Sequence, residues 1–261
     1  MPRFSANLSM LYPELPFLER FSAAAADGFK AVEYVGAYDQ DPASLKALLD
    51  QHGLAQVLFN LPAGNWAAGE RGTGCHPDRV QDFRQGVDKA IEYAHATRCT
   101  QVNCLAGIAP AGFDRSALEI VLIDNLTYAA PRLAEAGIKL LLEPINTRDI
   151  PGFLINSTED YERIAAAVNH PNLYLQYDFY HMQVVQGDLI PNFLRLQPRI
   201  AHVQIADNPG RHEPGTGEIN YPNIFRVLDE AGYTGWVGAE YKPEAATSAG
   251  LGWFTPWRAE A

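Results

Sequence analysis

Short apolar runs alternate along the chain with longer segments whose apolar residues recur at helical spacing. The runs that read as strands are "RFSANLSM" (3–10), "AVEYV" (31–35), "AQVLFN" (55–60), "TQVNCLAG" (100–107), "IKLLLE" (138–143), "LYLQYD" (173–178), "RIAHVQIAD" (199–207) and "GWVGAEY" (235–241). A helix is expected after each of the first seven. In the first, over 13–28, Phe17, Leu18, Phe21, Ala24 and Ala25 share one face and Gly28 is a natural stop. The second, over 41–53, has Asp41 as its cap, Pro42 in its first turn and Gly53 at its end. The third runs from Asp78 to Thr97, with Val80, Phe83, Val87, Ile91 and Ala94 in register. Further helices are expected over 116–137, where Pro131 should introduce a kink, over 157–169 with Ser157 or Thr158 as cap, around 187–197, and over 223–232.

Eight strand-then-helix units in about 250 residues have the size and rhythm of a closed α/β barrel, a (β/α)8 or TIM barrel. Several strands are continuously apolar, as a parallel sheet covered by helices requires. An open doubly wound sheet would want a Gly-rich phosphate turn after its first strand, and "LSMLYPE" carries none. We therefore expect one barrel domain over residues 1–261, with a long Gly-rich loop at about 61–78 that suits a lid or binding loop, and a tail from about 242.

Composition narrows the partners. The formal charge is −11 and no Lys/Arg-rich stripe is present, which argues against nucleic acid and anionic membranes. No apolar run approaches a membrane span, and the first residues lack a signal-peptide pattern. Three cysteines, Cys75, Cys99 and Cys104, lack metal-type spacing and fit a reducing compartment, so a cytoplasmic location is expected.

In a barrel of this kind, chemistry sits where strands end and the following loops begin. Four consecutive late strands end on oxygen-bearing side chains: Glu143, Asp178, Gln204 and Glu240. Charges at that density repel unless a cation holds them, and an all-oxygen set points to one hard divalent ion, Mg²⁺ or Mn²⁺. Taken singly, each acid is equally well read as a cap or a surface pair. His181, three residues after Asp178, lies within reach of the same mouth, although a histidine beside aromatic residues is commonly structural. Arg211, in a Gly- and Pro-rich loop, either clamps a substrate carboxylate or stands solvated. Lys242 and Asn103 are weaker substrate-binding candidates, and Glu70, Arg71 and His76 weaker candidates for the rim. Trp66 could shield a closed site, whereas Trp253 and Trp257 should pack against the barrel or a partner subunit. No Lys-Ser/Thr follows the glycines of "PGTGE", so no nucleotide cofactor is expected.

Seven segments, "NLSMLYPELPFLERF", "NLPAGNWAAGERG", "NCLAG", "LLEPINTRDIPGF", "QYDFYHMQ", "QIADNPGRHEPGTGEINYP" and "GAEYKP…GLGW", resemble the hydroxypyruvate isomerase family of the xylose-isomerase-like barrels. The resemblance runs from about residue 5 to about residue 253. It implies a metal-dependent interconversion of hydroxypyruvate and tartronate semialdehyde by enediolate proton transfer. Glu143 and Glu240 would be the acid/base pair and, with Asp178 and Gln204, the metal ligands; His181 and Arg211 would contact substrate oxygens. Sugar-epimerase relatives carry a histidine where this chain has Gln204, which places it nearer the hydroxypyruvate side. Three alternatives stay open: an isomerase or epimerase of a longer sugar acid or ketose, such as a four-carbon 2-oxo acid; a metal-dependent hydrolase; and a non-catalytic binding barrel. The expected partner is a small anionic sugar acid, and both the tail and the long loop could serve a homo-oligomer.

Overall fold

The computed structural model describes residues 1–258. Eight parallel strands close into a barrel in sequence order: β1 (Arg3–Asn7), β2 (Ala31–Tyr34), β3 (Ala55–Asn60), β4 (Gln101–Cys104), β5 (Lys139–Leu142), β6 (Leu173–Asp178), β7 (Ile200–Ile205) and β8 (Trp236–Ala239). The covering helices are α1 (Arg20–Ala26), α2 (Pro42–His52), α3 (Val80–Thr97), α4 (Arg115–Glu135), α5 (Thr158–Val168), α6 (Phe179–Val185), α7 (Leu189–Leu196) and α8 (Tyr221–Glu230). Local chemistry sets their ends. The Asp41 carboxylate accepts from Ser44 N at 2.9 Å, and Ser157 Oγ accepts from Asp160 N at 3.2 Å. Gly53 stops α2 in the left-handed region, and Pro131 lies inside α4. Among the described residues no helix is long and apolar enough to cross a membrane.

Two elements depart from expectation. The first helix begins only at Arg20, because Pro13 and Pro16 hold the preceding segment out of helical geometry. A short helix, α6, follows β6 without a gap and was not legible in the sequence, because Asp178 ends the strand and caps the helix at once. Its side chain accepts from Tyr180 N at 2.8 Å and His181 N at 3.4 Å, which turns His181 back toward the barrel mouth.

The strands are also less uniformly apolar than a covered parallel sheet suggests. Ser5 and Asn7 on β1, Glu33 on β2, Gln101 and Asn103 on β4, Gln176 and Asp178 on β6, and His202 and Gln204 on β7 are all buried. They alternate with Phe4, Ala6, Val102, Leu175, Tyr177, Val203 and Ile205, which belong to the apolar core. Glu33 hydrogen-bonds residues of both β1 and β7, which only the lumen allows. The interior is thus largely a polar column, interrupted by Leu58 and Leu141, and most large apolar residues form the layer between sheet and helices. Gly238 on β8 makes room for it: a Cβ there would collide with the Glu33 carboxylate.

The tail returns to the barrel. Phe254 stacks on Phe29 with centroids 4.2 Å apart, and Trp253 and Trp257 surround Phe4 and Phe225. Of the two places expected for these tryptophans, the described contacts lie on the barrel. The loop at 61–78 is fastened to the start of α3 and to itself: Glu70 pairs with Arg79 at 2.7 Å, and the Arg71 guanidinium lies 4.0 Å from the centre of the Trp66 ring. Trp66 is exposed and does not shield the mouth.

Candidate active site

Glu143 follows the last residue of β5, Asp178 ends β6 and Glu240 follows β8, so three strands raise three carboxylates at the same end of the barrel. They are joined by His181 from α6, and one ligand atom from each of the four lies within 4.8 Å of all the others. All four are buried or nearly so.

Each glutamate is held by an asparagine. Asn103 Nδ2 donates to Glu143 Oε2 at 3.0 Å and to Asn60 Oδ1 at 3.2 Å. Asn7 Nδ2 donates to Glu240 Oε1 at 3.0 Å and to Glu33 Oε1 at 3.2 Å. Asn103, expected as a weaker substrate contact, orients Glu143 through its Nδ2, while its Oδ1 is buried without a partner. Beneath them, Glu33 accepts from Ser5 Oγ at 2.7 Å and Gln204 Nε2 at 2.8 Å, and pairs with His202 Nε2 at 2.8 Å. Gln204 is engaged on both sides, since its Oε1 accepts from Gln176 Nε2 at 2.6 Å.

The tautomer of His181 follows from its neighbours. Asn146 Oδ1 accepts from Asp149 N at 2.8 Å, which turns the Asn146 NH₂ toward His181 Nδ1, 2.6 Å away. Nδ1 is then an acceptor and the proton is assigned to Nε2. That N–H points between Asp178 Oδ2 at 3.5 Å and Glu143 Oε1 at 3.8 Å. Burial, reinforced by Arg211, holds the ring well below its usual pKa, so it is a neutral donor.

Arg211 is the one cation in direct ion-pair contact with this group among the described residues. Its Nη2 donates to Glu240 Oε2 at 2.5 Å, its Nη1 donates to Asp149 Oδ2 at 3.3 Å, and its guanidinium lies 5.2 Å from the centre of the Tyr180 ring. Its backbone takes a left-handed φ of 61°. Burial works against its charge, but Glu240, Asp178, Asp149 and Glu143 together outweigh that, and it stays protonated. Lys242 is exposed; its backbone N–H and carbonyl bind Arg211 and His212, and its side chain lies outside the cluster. Glu70, Arg71 and His76 also lie outside it.

One guanidinium does not neutralise three buried carboxylates. Burial followed by Glu240 and Asp178 raises Glu143 well above the carboxylate range. Burial, only partly countered by Arg211, pushes Glu240 up to about 8 and Asp178 up to about 6. Asp178 Oδ2 is buried without a hydrogen-bond partner. An orphaned carboxylate oxygen inside a ring of raised acids is the electrostatic signature of a cation site, and this cluster can hold a metal ion. By contrast, Glu33 is held below its usual range: burial would raise it, but His202 and the bonds from Gln204 and Ser5 reverse the effect.

The sequence reading missed Asn7, Glu33, Gln176, His202, Asn146 and Asp149. Glu33 stands in "AVEYV", an acid inside an apolar run, whereas Glu143 drew attention by standing at the end of one.

A family described as xylose isomerase-like TIM barrel matches residues 21–257. The hydroxypyruvate isomerase of Escherichia coli K12 is 50% identical over 99% of this chain and 100% of its own length. The 2-oxo-tetronate isomerase of Cupriavidus necator is 49% identical over 98% and 99%. A crystal structure from Brucella melitensis, titled AP endonuclease, family 2, is 48% identical, covers 99% of this chain and 100% of its own, and superimposes with a TM-score of 0.96.

Proposed function

Since the chain belongs to the xylose isomerase-like TIM barrel family, we propose that it is a divalent-metal-dependent isomerase that interconverts hydroxypyruvate and tartronate semialdehyde. The observation that carries the reading is the pair of glutamates, Glu143 and Glu240. They face a common space from different strands, each fixed by its own asparagine.

The cation would be Mg²⁺ or Mn²⁺; Glu143, Asp178 and Glu240 would hold it, with the amide oxygen of Gln204 as a fourth candidate donor. When bound, it supplies Lewis acidity that acidifies the C–H beside a carbonyl. One glutamate removes a proton from the hydroxymethyl carbon of hydroxypyruvate, and the electron pair becomes the double bond of an enediolate. A glutamate then returns a proton to the neighbouring carbon, the former ketone carbon, while the hydroxyl proton passes from the oxygen of the first carbon to the former ketone oxygen, which gives the aldehyde beside a secondary alcohol. Each positioned acid or base contributes about 10²- to 10⁴-fold. The Nε2–H of His181 donates to a substrate oxygen. Arg211 Nε is buried without a partner, which leaves a donor for the substrate carboxylate while the rest of the guanidinium stays on Glu240.

The Cupriavidus necator relative supports a second reading, a four-carbon 2-oxo acid as the substrate. The ratio of kcat/KM for the two acids decides between them. The Brucella melitensis structure is described as an AP endonuclease, but a single histidine in the cluster and a charge of −11 argue against a nuclease here.

The test is to strip metal with a chelator, restore Mg²⁺ or Mn²⁺ and follow hydroxypyruvate by proton NMR in D₂O. We expect metal-dependent formation of tartronate semialdehyde with deuterium at the exchanging carbon. Neither exchange nor product from either acid, in protein that still binds the metal, sinks the proposal.

A further inference from the structure

At the foot of the barrel, opposite the carboxylates, the strand beginnings surround a cavity of about 450 Å³. Its walls include Arg3 from the start of β1, Lys139 from the start of β5 and Arg98 from the turn before β4, and no aspartate or glutamate lines it. In a chain of net charge −11 that is a local reversal of sign. None of the three cations forms an ion pair with a described carboxylate: Arg3 donates to the Thr234 carbonyl and lies over Trp236, and Lys139 lies over Tyr174.

Two further observations indicate a built site. Gln56, also in the wall, is buried; its Oε1 accepts from Tyr34 Oη at 2.7 Å, and its NH₂ has no partner among the described residues. Gln101, another buried wall residue, is fixed by His202 Nδ1 at 3.3 Å. Arg98 occupies the position after α3 with a left-handed φ of 60°, where Gly53 closes α2 and glycine is the unstrained choice. Its backbone N–H caps α3 on the Ala94 and His95 carbonyls, and among the described residues its guanidinium is in no ion pair.

We propose that this cavity is a binding site for a small multiply charged oxyanion of the phosphate-ester class, separate from the mouth. Guanidinium forks and an ammonium match phosphate oxygens, amide N–H groups complete the shell, and the volume lies within the usual range for small-molecule sites. The absence of acidic side chains from the wall excludes a cationic ligand. The ring of Trp236 offers one apolar face for the carbon skeleton.

The probe is glycerol 3-phosphate, titrated by calorimetry into the full chain as purified, with glycerol as the neutral control. We expect saturable binding at one site per chain, weakened when ionic strength rises from about 0.05 to about 0.3 M, and no binding of glycerol. Arg98→Gly removes the charge and relieves the backbone, so the variant should melt no lower than the parent yet bind at least about tenfold more weakly. Lys139→Gln should act in the same direction, while Arg211→Ala, at the mouth, should leave binding intact. The proposal is overturned if R98G and K139Q bind like the parent, if R211A alone abolishes binding, or if no saturable binding is seen.

Discussion

At the mouth of the barrel three carboxylates and one guanidinium share a buried space; at the foot three cations stand at the surface with no carboxylate among the walls of their cavity. The same eight strands build both ends, and what differs is the connections. The segments from β5 to α5 and from β7 to α8 bury Glu143, Asn146 and Glu213, whereas the turn from α2 at His52 to β3 at Ala55 is too short to cover anything. Long loops allow charges to be withdrawn from water, and withdrawal is what raises Glu143 and Glu240 and creates a demand for a cation. Short turns leave the foot in water, where unpaired cations cost little and remain available. Between the ends, the Glu33–His202 pair is buried as deeply as anything at the mouth, yet it is satisfied within the chain. Burial alone does not make a reactive group; burial among like charges with too few cations does.

The largest effect should come from removing the chemistry while keeping the shape. Glu143→Gln and Glu240→Gln should each lower kcat by about 10³-fold or more with unchanged circular dichroism. A loss of less than tenfold in both would end their assignment as the acid/base pair. Breaking the satisfied pair should be felt in stability: Glu33→Ala strands His202 in the column and should cost about 3–5 kcal/mol in urea unfolding. If that variant unfolds like the parent, the polar column is not the internal support described here. Metal distinguishes the two ends directly. Chelation should abolish activity, and restoring Mn²⁺ at a hundred times its Kd should stabilise the chain by about 2.7 kcal/mol, or roughly 5–10 °C in Tm. Asp178→Asn should remove that response and R98G should retain it. The smallest of these effects concerns orientation. Asn103→Ala and Asn7→Ala should lower kcat about tenfold to a hundredfold with little change in KM, the pattern of a lost transition-state geometry. A rise in KM alone would return Asn103 to the substrate-contact role first expected of it.

The barrel was legible because its signals are local and repeated. Strands β3 and β6 fall on the expected residues, and the Asp41, Gly53 and Ser157 caps are where side-chain chemistry puts them. The convergence of Glu143, Asp178 and Glu240 was legible because closing the barrel places strand ends together whatever the loops do. Asn7 and Asn146 were not, since an asparagine in a strand or loop has no signature until its partner is known, and the partner of Asn7 lies 233 residues away. Glu33 was passed over because it sits within its strand and not at its end. The helix α6 was hidden because one aspartate served two elements at once.

Gly238 leaves its space to the Glu33 carboxylate. The two positions therefore cannot drift independently through evolution. A side chain gained at 238 must displace the carboxylate of Glu33, and with it the anchor of His202 and Gln204. Heredity at those two sites should read as a single character: glycine with glutamate, or neither.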